Sequence, residues 1–152
     1  MKSDNIFNKM KGKDNWNEEK SHKSEYIVAI IFNLIFFYIV NNLLNWNISF
    51  ITQALNSILW IINLSIVAAI TGNFFLLLYD PRWLRHLIKI AMNIFAFYAV
   101  YFIYEVFPFS FSTIYLDEIV LFVLIISMVA IIIASFVEFI KLILLIKGKF
   151  LD

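Results

Sequence analysis

Glu138 is the residue whose type and setting point most directly to chemistry. It stands in the long apolar run Ile119–Ile146, where a carboxylate is expensive unless it is paired or used. Its candidate partners are Lys141, three residues on, and Lys89 and His86 on the preceding apolar run. Two readings follow. One is a proton or cation site inside a membrane. The other is an ion pair with Lys141 at headgroup level, on a helix that projects beyond the hydrocarbon.

Amides form the second set. Asn33, Asn56, Asn63 and Asn93, with Tyr104, are spread over three apolar runs and define a candidate polar seam. Such residues either line a polar pathway or bind helix to helix, each interhelical bond then being worth about 0.6 kcal/mol.

Other chemistries find no support. Cysteine is absent, which excludes disulfides, thiolate nucleophiles, Cys-ligated metals and the quinone-linked enzymes that form disulfides. His22 and His86 are the only histidines, and no carboxylate spacing joins them into a metal site. Three glycines make no phosphate-binding loop, and no Ser, His and Asp are placed as a triad. No catalytic residue, cofactor, metal or nucleic-acid partner is expected.

These residues must be held by apolar helices. The chain has 152 residues, of which 62% are hydrophobic and 15% charged, against about 25% charged in a soluble domain. A hydrocarbon core about 30 Å thick takes roughly 20 residues of helix to cross. Four runs are long enough, and the expected spans are 26–44, 54–79, 84–105 and 119–146. The fold class is therefore an all-α integral membrane protein, an antiparallel up-down bundle of four transmembrane helices. Residues 26–152 form the membrane domain, preceded by a polar arm, 1–25. The arm is too short and too charged for a core. Its Ile6, Phe7 and Met10 would share one face of a short helix, which suits either a lipid-surface segment or a solvated tail.

The links carry their own signals. Tyr79-Asp80-Pro81-Arg82 starts a helix, with Asp80 expected as N-cap and Pro81 at the first helical position. Val106–Ser112, with Phe107, Pro108, Phe109 and Phe111, breaks the pattern and reads as an aromatic interfacial loop. Residues 113–118 suit a short helical turn, and Gly148 suits a helix stop. The first run lacks a small-residue cleavage site after it and reads as a retained span.

Charge gives the orientation. Lys and Arg total twelve. They fall in the arm (Lys2, Lys9, Lys11, Lys13, Lys20, Lys23), around the central turn (Arg82, Arg85, Lys89) and near the end (Lys141, Lys147, Lys149). The first and third links carry none. The positive-inside rule then places both termini and the central turn in the cytoplasm. Four spans also require both termini on one side, which agrees.

Small residues mark close helix approach: Ala68 and Gly72 in the second span, Ala130 and Ala134 in the fourth. The second span, carrying the most polar and small side chains, is expected at the centre. Small multidrug exporters resemble the chain in span count, but they carry an acid in the first span, where this chain has Asn33. Fluoride channels resemble it in length, but their glycine motifs are missing here. The expectation is a multi-pass protein of the cell membrane, in contact with lipid and with no catalytic role. It would be an accessory subunit, scaffold or immunity-type protein that binds other membrane helices or its own copies. The alternative is a small oligomeric transporter or channel using the Asn seam and Glu138. The Asn, Ile, Lys and Phe bias points to a low-GC prokaryotic genome.

Overall fold

The computed structural model describes residues 23–149. The arm's expected Ile6–Phe7–Met10 face, and His22, lie outside these residues. Four α-helices follow in order: α1 (Lys23–Asn42), α2 (Leu55–Leu78), α3 (Arg82–Val106) and α4 (Ile114–Lys149). All four are long and apolar enough to cross a membrane.

The boundaries differ from the expected ones in instructive ways. Lys23, Ser24 and Glu25, assigned to the arm, already belong to α1. Residues 114–118 are no separate turn but the first turn of α4, which runs 36 residues and includes Gly148. Gly148 therefore does not stop the helix at that point. A single glycine costs a helix about 1 kcal/mol, and the long apolar run before it outweighs that. Asp80 is not the N-cap of α3. Pro81 holds that position without a side-chain cap bond, and Asp80 is engaged elsewhere.

Each helix lies against its neighbour in sequence. α3 packs on both α2 and α4, and α2 and α4 do not approach each other. α2 is the most buried element, with Leu55, Ile58, Ile61, Ile62, Ile66, Gly72 and Leu76 covered. Val40 of α1 joins Leu55, Ile58, Ile61, Ile62 and Ile66 in one apolar core, closed from α3 by Phe102, Ile103 and Val106. This core lies toward the end that carries the α1–α2 and α3–α4 links, the loop end. The α2–α3 turn marks the opposite, turn end. Gly72 allows α2 and α3 to come close. A Cβ there would meet Met92 Sδ at 2.8 Å and Ile88 Cγ2 at 2.9 Å.

The two links at the loop end hold each other. Thr52 N–H donates to the Pro108 carbonyl at 3.0 Å, and Ser110 N–H to the Phe50 carbonyl at 2.9 Å. These bonds flank an antiparallel bridge between Ile51 and Phe109. Phe111 stacks on Phe50 at 5.2 Å and on Phe109 at 5.9 Å. Phe107 turns the chain out of α3 with φ 42° and ψ 73°, a left-handed conformation rare for a bulky residue. Pro108, which lacks an N–H, is buried there and offers only its carbonyl.

α4 is different. None of its described side chains is buried. Its less exposed positions, among them Leu121, Leu124, Met128, Ile131, Ser135, Glu138, Leu142 and Leu145, recur every three or four residues. That spacing is one stripe of a helix, the face turned to α3.

Candidate functional site

Residue spacing brings Glu138 to α3. His86 stands in the second turn of α3, and Glu138 lies on the α4 stripe. Because the two helices run antiparallel, both lie in the half of the pair nearer the turn end. His86 Nδ1 and Glu138 Oε2 are 2.5 Å apart. An ionised carboxylate only accepts, so Nδ1–H is the donor. The other oxygen, Oε1, accepts from Lys141 Nζ at 3.3 Å. Side-chain exposure is 18% for His86 and 13% for Glu138, but 52% for Lys141. Lys89, one turn from His86, acts on the carboxylate through its charge without touching it. The carboxylate therefore has a covered imidazole on one side and an exposed ammonium on the other.

Directly along the same seam lies a groove of about 550 Å³ between α3 and α4. Asn93, Phe97, Ser135, Phe136 and Phe139 are among its walls. Neither the Asn93 nor the Ser135 side chain has a hydrogen-bond partner among the described residues.

The amides do not form one seam. Asn33 donates to the Ala29 carbonyl of its own helix at 2.8 Å. Asn63 pairs reciprocally with Asn41 across α1 and α2, at 2.8 and 2.9 Å. Asn56 reaches only Gln53, at 3.5 Å. Asn93 faces α4, and Tyr104 is exposed. Helix rotation explains the scatter: residues sharing an arc on separate helices meet only where those helices are neighbours and at one depth. Of the packing residues, Gly72 is buried against α3, and Ala68 lines the α2–α3 surface beside it. Ala130 and Ala134 are exposed, because they lie off the α4 stripe. Among the described residues no neighbouring helix covers them.

A second polar cluster closes the turn end. Arg85 grips Asp80 with two bonds, Nε to Oδ1 at 2.8 Å and a terminal nitrogen to Oδ2 at 2.6 Å. Tyr26 of α1 donates its hydroxyl to Oδ2 at 2.9 Å and is 4% exposed. The two-pronged guanidinium bond occupies both carboxylate oxygens with one cation, which explains why Asp80 is not a cap. Sequence reasoning found Asp80 and Arg85 but not Tyr26 or Asn41. Only the lateral packing of α1 brings those two into place. The one available signal was that Tyr26 starts an apolar run where a phenol needs a partner.

No group of three or more His, Asp or Glu that could hold a metal occurs among the described residues. Comparison of the chain with protein-family models, with curated proteins and with solved structures finds no match.

Proposed function

We propose that the chain is a non-catalytic, multi-pass component of the cell membrane, with both termini and the α2–α3 turn in the cytoplasm. Its role is to bind other membrane helices. The observation that supports this most is α4. It offers long apolar flanks, with Phe122, Ile133 and Phe136 more than half exposed, and contacts its own chain along one stripe. Most of the polar groups in α1 and α2 support the same reading, since they are spent on pairs and on their own helices. An accessory subunit, scaffold or immunity-type protein has these features. Partners are the bilayer and either a different membrane protein or a second copy.

The test is photo-crosslinking in cells from single positions around α4. Discrete protein adducts from one flank, and none from the opposite flank, are expected. Lipid adducts alone from every position would end the proposal. A small oligomeric transporter or channel is the second reading, and the observation favouring it is the ionisable pair His86–Glu138 within two long apolar helices. Proton or cation flux into liposomes holding the protein, lost in Glu138→Gln, would select it.

A further inference from the structure

We infer that His86 and Glu138 form a proton-binding site that sets how tightly α4 is clamped to α3. This goes beyond the partner-binding role and does not rest on it. The inference starts from what joins α4 to the rest. Among α2, α3 and α4, only α3 touches α4, and most of that seam is apolar side chains. In lipid, apolar contacts do little to hold helices together, because lipid tails are equally apolar. Polar contacts across the seam therefore carry disproportionate weight. Among the described residues, the side-chain hydrogen bond that joins α3 to α4 is His86–Glu138.

Imidazole is the side chain whose ordinary charge change falls between pH 5 and 8. In its neutral form His86 gives Glu138 an N–H from an uncharged ring. On taking up a proton the ring becomes a cation, and the bond to the carboxylate gains a direct attraction between opposite charges, turning it into an ion pair. The proton enters at Nε2, the nitrogen not bonded to Glu138. The groups facing the pair are Lys89 on α3 and Lys141 on α4. Both are cations and oppose protonation. They act from farther away or from a more exposed position than the carboxylate in contact. α2 brings no group to the pair, since it does not approach α4. Acidification thus tightens the clamp, and alkaline pH loosens it.

The chain's lack of cysteine makes the test direct. Spin labels are placed on Trp83→Cys and Leu144→Cys, both exposed and near the turn end, in the full chain in lipid nanodiscs. The inter-label distance distribution is recorded at pH 8 and pH 6. The expected result is a narrower distribution at pH 6. His86→Gln, which keeps an N–H donor but does not titrate, should give the same distribution at both pH values. A second readout follows the imidazole ¹⁵N shift in a His22→Gln background, where His86 is the remaining histidine. That shift should change between pH 8 and pH 6. No pH effect in the parent chain, an equal effect in His86→Gln, or an imidazole ¹⁵N shift unchanged between pH 8 and pH 6 would each overturn the inference.

Discussion

At the scale of single residues, the turn-end cluster and the helix contacts give the sharpest expectations. Asp80 accepts two bonds from Arg85 and one from Tyr26, so Asp80→Asn removes the charge that both recognise. A hydrogen bond to a charged group is worth about 1.5–3 kcal/mol. Asp80→Asn should destabilise the fold by about that amount, and Tyr26→Phe by about 1 kcal/mol, read as shifted midpoints of unfolding in detergent. Equal stability of Asp80→Asn and the parent would mean that the cluster is ornamental. Gly72 offers a second case. A methyl there collides with Met92 Sδ, which can swing away, and with Ile88 Cγ2, which is stiff at χ1. Gly72→Ala should cost about 1–3 kcal/mol, the usual range for overpacking, and a Met92→Ala background should recover part of it. Asn63→Ala leaves the Asn41 amide without its cross-helix partner, and should cost about 0.6–1.7 kcal/mol.

At the scale of elements, the loop-end ribbon fastens two links that are 58 residues apart, Ile51 to Phe109. It ties the α1–α2 corner to the α3–α4 corner independently of helix packing. Aromatic pairs add about 0.5–1.5 kcal/mol beyond their buried area. Phe111→Ala breaks both stacks, with Phe50 and with Phe109, and should lower stability by about 1–3 kcal/mol, the sum of two such pairs. Faster backbone amide exchange at Thr52 and Ser110, the two ribbon donors, should accompany the loss. Unchanged exchange there would show that the stacks do not hold the ribbon. α4 belongs to this scale as well. Its stripe explains why Glu138 meets His86 and why Ala130 and Ala134 are left exposed among the described residues. Those alanines sit where a helix from another molecule could approach closely, which fits the binding role proposed for α4's flanks.

At the scale of the whole molecule, the expectation concerns sidedness. Single cysteines placed at Arg82 and Lys147 should react with a membrane-impermeant thiol reagent only after cells are opened. Cysteines at Trp46 and Ser112 should react in intact cells. The physical reason is the charge layout: the Lys and Arg residues lie beside the termini and the α2–α3 turn, and none lies in the two loop-end links. Labelling at Arg82 in intact cells would overturn the orientation.

Much of this architecture was legible in the amino-acid order alone. The number of helices and their approximate limits follow from apolar run length, because a stretch of this length and hydropathy with so few charges has few alternatives to a helix. The aromatic link and the short turn follow from Pro81, Pro108 and their neighbours. The pairing of Glu138 was narrowed to three partners by position, since His86, Lys89 and Lys141 all fall near one end. Which partner makes which bond depended on tertiary structure: His86 by contact, Lys141 at longer range, Lys89 through space. The same is true of Asn41 with Asn63, Tyr26 with Asp80, and Ile51 with Phe109. In every such case sequence sets a residue's angle on its own helix or its place in a link. Only the packed arrangement sets which neighbour that angle meets, at what depth, and which small residues are left facing outward.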